Sequence, residues 1–160
     1  MTYPNVGHSH LIKIMKRRIL LVEDNLHLVE IVQKELESFG YDVRVAKNGI
    51  EAVEMADSQL PDLIIMDIMM PDMDGFQVTS RIRKNPNTQT IPILAATAMV
   101  APGFMERCLA SGCDAYVAKP FTVLQLEAAI ENLLKGSKEE DFGVRALSAK
   151  MSKNEYLKLA

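Results

Sequence analysis

The chain has 160 residues, of which 48% are hydrophobic, and it carries a formal net charge of −3. This length suits a single domain, and the mixed charge argues against direct nucleic-acid binding, which requires clustered Lys and Arg. No segment reaches the roughly 18–20 apolar residues of a membrane span, and the N-terminus lacks the layout of a signal peptide. We therefore expect a cytoplasmic protein.

Strand and helix patterns alternate from residue 18 onward. Ile19–Val22 is a continuous apolar run, as expected for a strand buried on both faces. The next apolar residues recur at helical spacing and are followed by Gly40 as a helix stop; they are Leu28, Val32, Leu36 and Phe39. Asp42–Ala46 alternates, which predicts an edge strand with one wetter face. Asn48-Gly49 predicts a turn before a helix that carries Ile50, Val53 and Ala56.

The middle of the chain contains the second and third buried segments. Leu63–Met66 predicts a strand that ends at Asp67, and a long turn over residues 68–75 follows. A third helix is marked by Phe76, Thr79 and Ile82. Ile91–Ala96 predicts the next strand, with Pro92 near its start, where a missing N–H donor is tolerated.

Two more helices and one strand complete the pattern. A short helix is marked by Met105 and Leu109 and closed by Gly112, and Ala115–Ala118 predicts the last strand. Thr122-x-x-Gln125 is a capping-box pattern. It opens a final helix that carries Leu126, Ile130, Leu133 and Leu134 and stops at Gly136.

This alternation predicts an α/β fold, a doubly wound five-stranded parallel sheet with helices on both faces. Ligands of such folds bind beyond the carboxyl ends of the strands. Four predicted strands end in polar residues: the first in Glu23-Asp24, the third in Asp67, the fourth in Thr97 and the fifth in Lys119. Three carboxylates in one pocket repel each other, and an all-oxygen site suits Mg²⁺.

The same set of residues suits phosphoryl chemistry. A carboxylate beside a metal is able to act as a nucleophile and form an acyl phosphate, and a lysine and a hydroxyl would then neutralise and position the phosphoryl group. Taken singly, each residue has an ordinary role: helix cap or turn for Asp24 and Asp67, strand-end hydroxyl for Thr97, solvated cation for Lys119. Their joint placement at four strand ends favours the functional interpretation.

Four segments, in order, resemble the receiver domain of two-component response regulators (CheY-like). They are Ile19–Asn25 (ILLVEDN), Leu63–Gly75 (LIIMDIMMPDMDG), Ala96-Thr97-Ala98 and Tyr116–Phe121 (YVAKPF). The resemblance covers roughly residues 17–135, and the combination of motifs is more specific than any one of them. It implies a flavodoxin-like (βα)₅ fold with strand order 2-1-3-4-5.

By position, the resemblance assigns the metal and phosphoryl residues. It implies that Asp67 is the phosphoacceptor and that Glu23 and Asp24 hold Mg²⁺ (or Mn²⁺) together with Asp67. The backbone carbonyl of Met69 would be a further ligand of the metal.

The resemblance also assigns the switch residues. Thr97 would follow the phosphoryl group, Lys119 would pair with it, and Tyr116 would turn inward on activation. The Lys119-Pro120 bond would be cis, as in the family.

The resemblance implies a signalling switch rather than a turnover enzyme. A histidine kinase or histidine phosphotransfer protein would donate its phosphoryl group to Asp67, and the face of the fourth helix, fifth strand and fifth helix would then change its contacts with a downstream protein effector. We expect only self-directed phosphotransfer and autodephosphorylation. Met69 and Met99 are apolar at positions that influence hydrolysis in this family, which predicts a long-lived phosphoryl group.

Three segments are expected: an N-terminal extension over 1–16, the receiver domain over 17–136 and a tail over 137–160 with a weakly amphipathic helical pattern. Met15 is a candidate natural start. The tail is too short for an output domain, which favours a stand-alone receiver. A receiver excised from a hybrid histidine kinase or larger regulator is the alternative.

Two other functions stay open from the residues. A metal-dependent phosphatase with an aspartyl nucleophile usually carries a second Asp two residues later, where this chain has Met69. A pseudo-receiver that is never phosphorylated would not require the full set of strand-end residues.

The remaining candidate residues receive structural interpretations. Lys16-Arg17-Arg18 is interpreted as a solvated strand entrance rather than a nucleic-acid patch. Cys108 and Cys113 match neither a redox pair nor a zinc knuckle and are interpreted as small core residues in a reducing compartment. His8 and His10 lie in a stretch without pattern, and no metal site is assigned to them.

Overall fold

The computed structural model describes residues 15–99 and 101–136. Within these residues five strands alternate with five helices: β1 (Arg18–Val22), α1 (Leu26–Ser38), β2 (Asp42–Ala46), α2 (Gly49–Gln59), β3 (Leu63–Asp67), α3 (Gly75–Lys84), β4 (Ile93–Thr97), α4 (Phe104–Ala110), β5 (Ala115–Ala118) and α5 (Val123–Lys135). His8, His10, most of the expected N-terminal extension and the tail over 137–160 lie outside the described residues.

The five strands form one parallel sheet in the order β2-β1-β3-β4-β5. This confirms the predicted doubly wound sheet and the strand order that the resemblance implied. β3 lies in the centre, and all five of its residues are buried. β2 and β5 form the edges, so the prediction of an edge strand at Asp42–Ala46 is confirmed.

Side chains from the two faces of the sheet build two hydrophobic cores. Ile64 and Met66 of β3 face one core, which also contains buried residues of α2, α3 and α4. Leu63 and Ile65 face the other, which contains Val32 and Leu36 of α1 and Leu126 and Ile130 of α5. Each fully buried Leu or Ile side chain stabilises the fold by about 1.5–3 kcal/mol, so the sheet is anchored from both sides. No helix in the described part of the chain is long and apolar enough to span a membrane.

Element ends follow local chemistry. The predicted capping box at the start of α5 is confirmed, since Thr122 and Gln125 each accept the other's backbone N–H. Asn48 caps α2 by accepting the Glu51 N–H, so Gly49 is the first residue of the helix rather than part of a preceding turn. The fourth strand begins at Ile93, two residues later than predicted.

Four apolar residues that marked the predicted helices differ in burial from what the patterns suggested. α4 buries Phe104 and Cys108 rather than Met105 and Leu109, because a helix of seven residues is too short for its spacing to fix which side faces the core. Phe39 and Ile50 stand at the ends of their helices and are exposed. Cys108 and Cys113 are buried free thiols, in agreement with their interpretation as core residues.

Candidate functional site

Because all strands are parallel, their carboxyl ends meet at one edge of the sheet. Glu23 directly follows β1, Asp67 ends β3, Thr97 ends β4 and Lys119 directly follows β5. The Glu23 N–H donates to the Ala46 carbonyl at 3.1 Å, which fixes the chain as it leaves β1. The four strand ends that the sequence identified therefore lie on the same side of the molecule.

Three carboxylates converge at this edge. Glu23, Asp24 and Asp67 each place a carboxylate oxygen within 4.8 Å of the others. The side chains of Glu23 and Asp67 are buried, whereas Asp24 is exposed at the mouth of the pocket. Mg²⁺ prefers oxygen ligands and usually keeps several of its waters, so two buried carboxylates and one solvated carboxylate are a donor set that fits this ion.

Lys119 supplies the positive charge of the pocket. Its Nζ lies 2.5 Å from Glu23 Oε2 and 3.6 Å from Asp67 Oδ1. The side chains of Lys119 and Glu23 are only 18% and 5% exposed, so this ion pair is shielded from water. Removal of one partner from a buried pair costs about 3–5 kcal/mol, because the other charge stays behind without compensation.

Neighbouring groups shift the pKa of the Asp67 carboxylate in opposite directions. Its pKa is raised from 3.8 to about 6, first by burial and then by the charge of Glu23. Lys119 and the Met69 N–H, which donates to Asp67 Oδ1 at 3.1 Å, act to lower the pKa. At neutral pH most molecules therefore carry an ionised and poorly solvated Asp67, which is the form that a nucleophile requires.

The loop after β3 fixes the backbone around this carboxylate. The Gly75 N–H donates to the Ile68 carbonyl at 3.0 Å, which closes the loop between β3 and α3. Asp74 caps α3 in a capping box with Gln77. The Met69 side chain is 54% exposed, but its backbone lies beside Asp67 through the N–H contact.

Met99 joins the two residues that the resemblance assigned to the switch. Its N–H donates to Thr97 Oγ1 at 3.2 Å, and its carbonyl accepts from the Tyr116 hydroxyl at 2.9 Å. Thr97 is fully buried, whereas Tyr116 is partly buried and packs against the core that contains Phe104. A change at the Thr97 hydroxyl would therefore reach Tyr116 through the backbone of one residue.

The turn after β5 places Lys119. Its N–H donates to the Thr97 carbonyl at 2.8 Å, which ties the fifth strand end to the fourth. The peptide bond between Lys119 and Pro120 is cis.

Sequence reasoning missed three features of the site. The Asp74–Gln77 capping box had a signal, since Asp-x-x-Gln before an apolar helix is a known start pattern. The backbone role of Met99 had no signal, because any residue other than proline supplies both an N–H and a carbonyl. The close contact of Gly75 with the backbone after Asp67 depends on how α3 packs, which a glycine in a turn does not specify.

Residues 19–131 match the family described as the response regulator receiver domain. The polar-differentiation response regulator DivK of Brucella anthropi is 34% identical over 120 residues, which cover 75% of this chain and 98% of DivK.

Solved structures agree with this match. One is the receiver domain of the sensor histidine kinase PA1611 from Pseudomonas aeruginosa PAO1, described with a magnesium ion coordinated in its active-site cleft. It is 38% identical, with a TM-score of 0.70, and the match covers 75% of this chain and 98% of that domain. The chemotaxis protein CheY4 of Vibrio cholerae is 28% identical, with a TM-score of 0.71, over 74% of this chain and 99% of CheY4. By its sequence and its fold, the chain belongs to the receiver-domain family of response regulators.

Proposed function

We propose that this chain is a phosphorylation switch that accepts a phosphoryl group on Asp67 from a histidine kinase or a histidine phosphotransfer protein. Receiver domains of response regulators are signalling switches of two-component systems, and phosphorylation and Mg²⁺ are expected for the family. The observation that carries the proposal is the position of Asp67. Its buried carboxylate lies among two further acids and Lys119 at the carboxyl edge of the sheet.

In this proposal, Glu23, Asp24 and Asp67 hold Mg²⁺, with the Met69 carbonyl as a further ligand. Bound Mg²⁺ would neutralise charge on the oxygens of the transferred phosphoryl group. The magnesium ion described for the cleft of the PA1611 receiver supports this assignment.

The proposed transfer uses the Asp67 carboxylate as its nucleophile. An Asp67 Oδ forms a bond to phosphorus while the bond from phosphorus to the donor histidine nitrogen breaks, and the electron pair of that bond stays on the nitrogen. Lys119 then exchanges its contact with Glu23 for the phosphoryl oxygens, since its Nζ is only 3.6 Å from Asp67 Oδ1. The cation is held next to the nucleophile before the reaction, so little reorganisation is required.

The proposed switch begins at the Thr97 hydroxyl. When this hydroxyl donates to a phosphoryl oxygen, it moves away from the Met99 N–H, and the Met99 backbone loses the contact that holds it. The Tyr116 hydroxyl, which donates to the Met99 carbonyl, is then released to turn inward. The face of α4, β5 and α5 changes with it and selects a downstream protein effector. Phosphorylation thereby biases an equilibrium between two states.

The similar proteins include both a stand-alone receiver and a receiver of a sensor kinase. DivK is covered over 98% of its length by the matched receiver, which supports a stand-alone regulator over 17–136 with an extension and a tail. The 38% identity with the receiver of the sensor histidine kinase PA1611 favours the alternative, a receiver within a hybrid kinase. Immunoblotting of the native protein separates them, because a hybrid kinase would migrate at several times the mass of this chain.

Incubation with Mg²⁺ and acetyl phosphate, followed by intact mass spectrometry, tests the proposal. We expect one added phosphoryl group that is removed by hydroxylamine, as an acyl phosphate is, and no addition to Asp67→Asn. Asp72→Asn is the matched control: Asp72 lies in the same loop with φ 65°, a conformation that Asn tolerates well. Undiminished labelling of Asp67→Asn would refute the assignment. Absence of labelling in the wild type would favour a pseudo-receiver, and sustained turnover of an external phosphate ester would favour a phosphatase.

A further inference from the structure

Gly75, the buried first residue of α3, lies directly against the backbone of the phosphoacceptor segment. A Cβ atom at this position would lie 2.7 Å from the Asp67 carbonyl oxygen and 2.7 Å from Ile68 Cα, whereas ordinary van der Waals contacts begin at 3.4 Å. The Gly75 N–H also donates to the Ile68 carbonyl at 3.0 Å. The start of α3 therefore lies closer to Asp67, the last residue of β3, and to Ile68, which follows it, than any side chain at position 75 would allow.

Position 75 requires glycine because a Cβ atom has no room there, and not because the backbone has a positive φ angle. Among the glycines of residues 15–99 and 101–136, Gly40, Gly103 and Gly112 have positive φ angles, and Gly75 does not. Alanine is therefore able to adopt the backbone conformation of residue 75. Its methyl group would meet the Ile68 side chain at Cδ1, and also the Asp67 carbonyl oxygen and Ile68 Cα, which are backbone atoms and cannot turn aside as the end of a flexible side chain does.

A displacement of this backbone would reach the reactive carboxylate by two routes. Asp67 is paired with Ala96 of β4 in the sheet, so a push on its carbonyl moves the residue that carries the nucleophile. Ile68 connects Asp67 to Met69, whose N–H holds Asp67 Oδ1. The carboxylate and its hydrogen-bond donor would both shift.

We propose that Gly75 is a positioning residue for phosphorylation: the absence of a side chain there lets α3 pack against the Asp67–Ile68 backbone and hold the carboxylate in its reactive position. This inference rests on the proposed role of Asp67 as phosphoacceptor. It assigns Gly75 no contact with the phosphoryl group itself.

The chain offers a matched control at Gly49, the buried first residue of α2. A Cβ atom there would lie 2.8 Å from Met73 Cβ, in the loop before α3, and 2.8 Å from Val78 Cγ2 of α3, so it is crowded to a similar degree, but by side chains rather than by the Asp67–Ile68 backbone. Gly49→Ala thus disturbs packing without a direct push on the Asp67 backbone. Wild type, Gly75→Ala and Gly49→Ala are compared for labelling rate per folded molecule, for Mg²⁺ affinity by calorimetry without phosphodonor, and for urea unfolding.

We expect Gly75→Ala to be labelled about tenfold more slowly or worse per folded molecule, since misplacement of a reacting group by 1 Å costs up to about a hundredfold. Its Mg²⁺ affinity falls as well. Gly49→Ala unfolds at lower urea but keeps its labelling rate and its Mg²⁺ affinity within about twofold. Slower labelling of Gly75→Ala also supports the proposal if this variant unfolds at the same urea concentration as the wild type.

The proposal is overturned if Gly75→Ala matches the wild type per folded molecule, or if both variants lose rate equally. If Gly75→Ala unfolds in buffer, all three proteins are measured in trimethylamine N-oxide, which favours compact states. Failure to fold there would make Gly75 a requirement of the fold alone and also overturn the proposal. If the wild type is not labelled at Asp67, the proposed function fails, while the Mg²⁺ measurement still tests the position of the carboxylate.

Discussion

The amino group of Lys119 lies 2.5 Å from Glu23 Oε2, closer than it lies to Asp67 Oδ1 at 3.6 Å. Lys119 is therefore paired with Glu23, whose carboxylate we propose as a ligand of Mg²⁺. Mg²⁺ and Lys119 would compete for Glu23, and arrival of the metal would free the lysine for the phosphoryl group.

Lys119→Met should bind Mg²⁺ more tightly than the wild type. A unit charge about 4 Å away contributes roughly 4 kcal/mol at an effective dielectric constant of about 20, and we expect part of this as an affinity gain of about tenfold. Calorimetry at pH 8, above the raised pKa of Asp67, measures it. Without metal the variant loses about 3 kcal/mol of stability through the unpaired Glu23. Lys135→Met, which removes an exposed cation, is the control, and an unchanged Mg²⁺ affinity of Lys119→Met would contradict the competition.

Asp67→Asn should stabilise the metal-free protein at neutral pH. The folded-state pKa of Asp67 is raised from 3.8 to about 6, so the folded protein is more stable when Asp67 is neutral than when it is ionised. This contribution to the free energy of unfolding is fully present below pH 3.8 and is lost as the pH rises through 6. Asn keeps the neutral state, and the gain should be about 1–3 kcal/mol at pH 7 and should vanish near pH 4. Urea unfolding in EDTA at several pH values measures this difference. A gain that does not depend on pH would show that charge is not its cause.

Thr97→Val should separate phosphorylation from the switch. Valine keeps the shape of the buried side chain but leaves the Met99 N–H without its acceptor, at a cost of about 1–3 kcal/mol. Asp67 should still be labelled, whereas the NMR signals of Tyr116 should no longer respond to phosphorylation. Thr90→Val, at an exposed position, is expected to respond as the wild type does. A full Tyr116 response in Thr97→Val would refute the coupling.

The phosphoryl group on Asp67 should persist well beyond seconds. Met69 and Met99 are 54% and 38% exposed at the rim of the site, and a thioether cannot orient an attacking water as an amide or carboxylate does. We expect Met69→Asn to shorten the half-life several-fold and Met69→Leu to leave it unchanged. Decay of the phosphorylated mass after removal of the donor measures this half-life. Loss within seconds from the wild type would contradict the prediction.

Both cysteines should be inert in the folded protein. Burial raises the pKa of Cys108 to about 12 and also raises the pKa of Cys113. Since the thiolate is the reactive form, iodoacetamide at pH 8 should modify neither thiol in buffer and both in urea. Rapid modification of the folded protein would show that the region around α4 opens readily.

Much of the fold was predictable, because buried parallel strands leave long apolar runs and helices leave periodic ones. Ile19–Val22 and Leu63–Met66 indicated central strands directly, and the polar residues after them marked the carboxyl edge. Short elements carried less information. α4 has seven residues, so the choice between Phe104 and Met105 as its buried residue depended on packing against Phe76, whose ring centroid lies 5.5 Å from that of Phe104.

The members of the site were predictable, but the contacts between them were not. Spacing placed Glu23 and Lys119 at strand ends, yet their ion pair depends on the order of the strands and the exit of the chain from β5. The Met99 link to Thr97 and Tyr116 uses backbone atoms, which every residue possesses. Gly75 acts through the lack of a side chain, so only the packed structure shows what its absence permits.

The strand order also has a consequence for synthesis of the chain. β3 pairs with β1, and each later strand is added outward until β5 takes the edge. Glu23, Asp24 and Asp67 precede Lys119 in the sequence and are therefore translated well before it. A partly synthesised chain carries the three acids without the lysine, so we expect cellular Mg²⁺ to be the first counterion available to them, with Lys119 arriving later as its competitor.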